Sequence, residues 1–153
     1  MMEVIIRSAN SLSEVPKQLL LLADPSEEMI EKYLKDGECY IAETNDEIIG
    51  VMVIISRNSE SIEVINLAVR EDWQGNGVGK KLLSKANEVG RMRNVKRIEI
   101  GTGNSSVQQL GIYQRCGYRI FEIWEDYFVN HYEEEIYENG IQCRDMIRLK
   151  IDL

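Results

Sequence analysis

The 153-residue chain is poor in the residue types that would announce several function classes at once. Its three cysteines, Cys39, Cys116 and Cys143, are odd in number and far apart, with no pair at metal-ligand spacing. They are expected to be reduced thiols of a cytosolic protein, and no metal site is expected. There is one histidine, His131, and a lone histidine in a loop-like segment is expected to be structural or exposed rather than catalytic. No apolar run approaches the length of a membrane span, and the opening Met-Met-Glu-Val-Ile-Ile-Arg does not read as a signal peptide. Positive charge is scarce too: 18 Lys and Arg against 26 Asp and Glu give a net charge of −8. That balance argues against nucleic acid as the main partner and suits cationic small molecules such as amines. No repeat, low-complexity linker or composition break divides the chain. At 44% hydrophobic and 29% charged residues it is expected to form one soluble domain over residues 1–153, cytoplasmic and without membrane association.

What is present is a glycine-rich turn, Gln74-Gly75-Asn76-Gly77-Val78-Gly79, between an apolar strand and an amphipathic helix. Such a turn suits an anion. The first amides of a helix lack partners, they lie at the positive end of the helix dipole, and glycine allows positive φ and close approach. Two phosphate motifs fail on spacing. A Walker A loop needs glycine where Gln74 stands and Ser or Thr where Lys81 stands. The dinucleotide fingerprint needs a third glycine at Lys80 or Leu82, and it usually opens the first strand–helix unit rather than lying mid-chain.

The pattern predicts strands over residues 4–7, 38–43, 48–56, 61–70, 97–101, 118–128 and 143–153. It predicts helices over 12–22, 26–35, 78–92 and 105–116. Asp24-Pro25 separates the first two helices, Ser26 caps the second and Gly37 ends it. In the helix after the glycine turn, Val78, Leu82, Ala86 and Val89 share one face, with Lys80, Lys81 and Lys85 off it. Strands 38–43, 48–56 and 61–70 form an antiparallel meander, and Asn139-Gly140 is a turn signal. The fold class is therefore α+β, in the order β-α-α-β-β-β-α-β-α-β-β.

Gln74-x-x-Gly77-x-Gly79 resembles the pyrophosphate-binding motif of the GNAT N-acetyltransferases, which bind acetyl-CoA. The predicted element order follows that family along nearly the whole chain. A second motif, Ile112-Tyr113-Gln-Arg-Cys-Gly117-Tyr118, is similar to the family's helix end, with Tyr118 in place of the usual Phe. Asn104 lies two residues further from Tyr113 than the commonest spacing, and Ser106 stands where the Asn is more often found. The resemblance implies a mixed, mostly antiparallel sheet of about seven strands flanked by about four helices. It also implies acetyl-CoA as acetyl donor.

By that resemblance, acetyl transfer to a primary amine would proceed directly through a tetrahedral intermediate. Main-chain groups at Leu67, Ala68 and Val69 would meet the pantetheine arm, where the strand splays from its neighbour at a bulge. One N–H there would face the thioester oxygen. Gln74, Gly75, Asn76, Gly77, Val78, Gly79 and Lys80 would hold the pyrophosphate, with Asn104, Ser106 and Tyr113 also on the cofactor side. Lys80 and Lys81 add screened attraction. Tyr113 is the candidate general acid, because a phenol near pKa 10 is close to an alkyl thiol. It also shares an apolar face with Val107 and Leu110, so a core role is the alternative. Glu63 and Glu99, on successive strands, are candidate bases, with Asn66 an alternative that orients a water.

Residues 122–138 carry seven acids and no Lys or Arg, interleaved with Trp124, Tyr127, Phe128, Tyr132 and Tyr137. One reading is a solvated loop with a few core aromatics. The other is an acceptor site in which Trp124, Glu125, Asp126 and Tyr127 receive a cationic amine. The acceptor is expected to be a small cationic amine, with a protein or peptide amine, or an acyl-CoA sensor without turnover, as alternatives. A monomer and a homodimer are both open.

Overall fold

The computed structural model describes residues 3–153. Seven strands form one sheet: β1 (Ile5–Ser8), β2 (Glu38–Thr44), β3 (Glu47–Asn58), β4 (Ser61–Val69), β5 (Arg97–Gly103), β6 (Arg119–Trp124) and β9 (Met146–Asp152). Their spatial order is β1-β2-β3-β4-β5-β9-β6. Every neighbouring pair is antiparallel except β4 and β5, which are parallel. The crossover between those two is α3 (Val78–Met92). The other helices are α1 (Lys17–Ala23), α2 (Glu27–Asp36), α4 (Val107–Arg115) and α5 (Tyr127–His131). A mixed, mostly antiparallel seven-stranded sheet is what the family resemblance implies.

Each face of the sheet buries its own apolar cluster. Under α3, Val78, Leu82, Ala86 and Val89 meet Ile62, Val64, Ile98 and Leu149. Under α1 and α2, Leu20, Ile30 and Leu34 meet Val51, Val53 and Ala68. Ser26 caps α2 by accepting a hydrogen bond from the Met29 amide at 3.2 Å, as expected of that residue type.

Several elements depart from the sequence expectation. The helix expected over 12–22 is divided at Pro16: a single 3-10 turn covers Leu12–Glu14, and α1 begins only at Lys17. Proline has no N–H for the helical ladder and clashes with the preceding turn. The strand expected over 118–128 stops at Trp124. Asp126 takes φ 54 and donates its amide to Asp145 Oδ1 at 2.8 Å, which turns the chain into α5. The aromatic run Tyr127-Phe128 has strand-like composition, and tertiary contacts override that preference. The Asn139-Gly140 turn, with φ 55 and 75, closes a hairpin of its own between β7 (Tyr137–Glu138) and β8 (Ile141–Gln142). The last strand consequently begins at Met146 rather than at residue 143.

One irregularity positions everything that follows. β3 pairs Val53 with Asn66 but Ile54 with Val64, so Ile65 is an extra residue bulged out of β4. The parallel pairing of β4 with β5 runs from Ser61 to Val64 and ends there. β5 continues to Gly103 with β9 as its partner. Beyond the bulge, then, β4 and β5 part and leave a V-shaped gap in the middle of the sheet.

Candidate functional site

The backbone polarity of that gap follows from strand geometry. The Arg70 amide donates to Ile49 O on β3 at 2.8 Å. Amides alternate sides along a strand, so those of Leu67 and Val69 point the other way, into the gap that β5 has left. They supply donors where the parallel ladder no longer takes them.

The gap holds two clefts that meet at Leu67 and Tyr113, which line both. The first, about 650 Å³, lies between the end of β4, the glycine turn and α4. Gly75 and Gly77 adopt φ 81 and 80, a region that penalises any side chain, and a Cβ at either would meet no atom within 4 Å. Glycine is needed here for the sign of φ, and the face of the turn stays open. Gln74 Nε2 donates to Val69 O at 2.9 Å, and Asn76 Nδ2 to Trp73 O at 3.2 Å. Both side chains brace the turn, which leaves backbone to line it. The turn residues expected from sequence all line this cleft except Asn76, and Leu67, Ala68 and Val69 join them. Lys80 and Arg115 are the charged residues of the lining. A wall of glycine backbone, the first amides of α3 and two cations fits a bound pyrophosphate.

The second cleft, about 360 Å³, lies on the β5 side of Tyr113. Its charged residues are Asp24 and Glu138, with no Lys, Arg or His in the lining. Asp24 accepts from the Tyr132 hydroxyl at 2.8 Å and from the Tyr33 hydroxyl at 3.3 Å. Glu138 Oε1 accepts from Ser106 Oγ at 2.8 Å and Ser105 Oγ at 3.3 Å. Phe128 and Ile136 supply apolar wall.

Tyr113 is 5% exposed, and burial pushes its phenol above the ordinary tyrosine range. Glu63 and Glu99 are adjacent across β4 and β5, but neither lines a cleft. Arg148 Nη1 reaches Glu63 at 2.7 Å and Nη2 reaches Glu99 at 3.1 Å. Arg57 adds a third contact, to Glu63 at 3.4 Å. Trp124 stacks on the Arg148 guanidinium at 4.2 Å, and Tyr127 stacks on His131 at 4.3 Å. Asp126 pairs with Arg144 at 2.7 Å. Together with exposed Glu125, these residues lie outside both clefts. The same segment reaches the second cleft through Phe128, Tyr132 and Glu138 instead, because α5 turns the chain there.

Asn104 lines neither cleft. Its Oδ1 accepts from the amides of Arg144 and Asp145 at 2.8 and 2.9 Å, and its Nδ2 donates to Gln142 O at 3.1 Å. Ser106 lies at the second cleft rather than the first. Trp73 and Arg115, and Asp24 on the other side, were not singled out by sequence. Arg115 carries no signal beyond its place in the Tyr113 motif, and Asp24 reads there only as part of the Asp24-Pro25 break between two helices.

The acetyltransferase (GNAT) family model matches residues 9–118. An uncharacterized N-acetyltransferase of Bacillus subtilis, YvbK, is 51% identical over 135 residues, 88% of this chain and 87% of that protein. The structure of an IAA acetyltransferase from Bacillus cereus superposes with a TM-score of 0.94 at 50% identity, covering 99% of this chain and 100% of that one. A GNAT family acetyltransferase from Elizabethkingia anophelis, solved with acetyl-CoA bound, gives a TM-score of 0.95 at 43% identity and 98% coverage of each chain.

Proposed function

The chain belongs to the GNAT family and is an acetyl-CoA-dependent N-acetyltransferase, and we propose that its acceptor is the primary amine of a small cationic molecule. One observation carries this reading: two clefts of opposite charge meet at Tyr113. The larger carries Lys80 and Arg115, and the smaller carries Asp24 and Glu138. The first suits the phosphates of the donor, and the second draws in an ammonium group. A volume near 360 Å³ sits at the small end of small-molecule sites, which favours a compact amine over a peptide.

Acetyl-CoA supplies the thioester, and the chain's own groups position and polarise it. Turn backbone from Gly75 to Lys80 holds the pyrophosphate, and Leu67 and Val69 present amides along the gap. A backbone donor aimed at a developing oxyanion contributes about 3 kcal/mol. Tyr113, shared by both clefts, donates its proton to the leaving thiolate. The acceptor nitrogen sheds its proton to water in the second cleft, while Glu63 and Glu99 stay engaged with Arg148.

The test is an acceptor screen with acetyl-CoA, following release of free CoA thiol over polyamines, aminoglycosides, amino acids and peptides. Turnover of small cationic amines ahead of peptides is expected. Turnover of peptides alone would reassign the acceptor, and tight CoA binding without any turnover would make the protein a sensor.

A further inference from the structure

Among the described residues, six buried side-chain polar atoms lack a hydrogen-bond partner, and Asn66 Oδ1 is the one whose residue lines the second cleft. Asn66 is 3% exposed and lies on β4 immediately after the bulged Ile65. Its orientation is fixed from behind. Nδ2 donates to Leu20 O at 3.1 Å and to the Tyr33 hydroxyl at 2.8 Å. A backbone carbonyl can only accept, so the nitrogen must face Leu20 and the oxygen must face away from it. Tyr33 in turn donates to Asp24, which Tyr132 also holds. Helix α2, the end of α1 and the segment after α5 thus converge to hold one amide with its oxygen unspent. A buried acceptor left without a donor costs free energy, which a donor arriving with a ligand would recover.

We propose that Asn66 is the residue that positions the acceptor amine, its Oδ1 accepting a hydrogen bond from the attacking nitrogen. This rests on the amine reading above. An N–H directed at Oδ1 aims the nitrogen lone pair elsewhere, toward the donor cleft beyond Leu67 and Tyr113. As the C–N bond forms, the nitrogen gains positive charge and its N–H becomes a stronger donor, so the contact tightens in the transition state. A neutral amide suits this role better than a carboxylate. A carboxylate in direct contact with the nitrogen would raise the pKa of the amine and hold it as unreactive ammonium, whereas Asp24 and Glu138 are already engaged by hydroxyl donors. The amide orients the nitrogen without trapping its proton, which leaves through another N–H to water.

The experiment compares wild type with Asn66→Ala and Tyr33→Phe, using spermidine, kanamycin and lysine as acceptor probes. Asn66→Ala is expected to raise the acceptor KM at least tenfold and to lower kcat, with the dissociation constant for acetyl-CoA unchanged. Tyr33→Phe keeps Oδ1 and loosens its support, so a smaller change in the same direction is expected; it also serves if Asn66→Ala does not fold. A general structural defect would shift acetyl-CoA affinity as well. Unaltered acceptor kinetics in a folded Asn66→Ala overturns this inference alone. Turnover of none of the probes by wild type overturns the amine reading and this inference with it.

Discussion

A phenol ordinarily loses its proton near pH 10, and burial pushes the Tyr113 phenol higher. The protonated form, the one able to donate, therefore persists to higher pH than for a free tyrosine. The amine has the opposite need, since it attacks only after losing a proton. kcat/KM is thus expected to climb with pH as the acceptor deprotonates and to show no falling limb below about pH 10 from loss of the acid. A descending limb with an apparent pKa of 8 or 9, absent in Tyr113→Phe, would assign Tyr113 a different state. Tyr113→Phe keeps the ring, so acetyl-CoA affinity should hold while kcat falls by roughly 10²–10⁴, the usual scale for a general acid. The residue type and its motif were legible in the sequence. Its place between two clefts was not, because that depends on where β4 and β5 part. Asn66 is a similar case: a polar residue in an apolar strand is visible, but the partners at Leu20 and Tyr33 lie 46 and 33 residues away.

At the scale of elements, strand–turn–helix at residues 61–92 was legible because three local signals agree: an apolar run, glycines, and a helical stripe. The turn's geometry makes a sharp test possible. Any side chain at Gly77 must tolerate φ 80, at a cost of about 1–2 kcal/mol. Gly77→Ala carries that strain alone, whereas Gly77→Asp adds a negative charge on the open face of the turn. CoA affinity measured by calorimetry is expected to fall at least tenfold further in the Asp variant than in the Ala variant. Equal affinities in the two folded variants would place the pyrophosphate elsewhere. Less legible were the elements that depend on partners. α5 forms where strand-like residues predict a continued strand, since Asp145 and Arg144 capture the chain there. The β7–β8 hairpin is two residues a side, too short for periodicity to show.

At the scale of the whole molecule, a sheet that parts in its middle needs something to hold β4 and β5 together below the opening. Glu63 and Glu99 sit side by side across that parallel pair, a repulsive arrangement by itself. Arg148 on β9 resolves it. Its guanidinium bonds both carboxylates, lies over Gly101 where a Cβ would come within 2.7 Å, and is covered by Trp124. Arg148 is wholly buried and the Glu63 side chain is 6% exposed, so each charge depends on its partners. Burial opposes the charge on Arg148, and the two glutamates outweigh that and hold it protonated. Removing one member of such a set typically costs about 3–5 kcal/mol, whereas replacing the whole set with well-packed apolar side chains of similar volume costs little. Arg148→Met should therefore lower Tm by on the order of 10 °C for a chain of this size. Adding Glu63→Met and Glu99→Met to it should restore most of the loss, as read by thermal unfolding. The single changes Glu63→Gln and Glu99→Gln should move Tm more than acceptor kinetics, because neither residue lines a cleft. A Glu63→Gln enzyme with unchanged Tm and a collapsed kcat would instead make that carboxylate the base, and would mean that the ion pair opens during turnover.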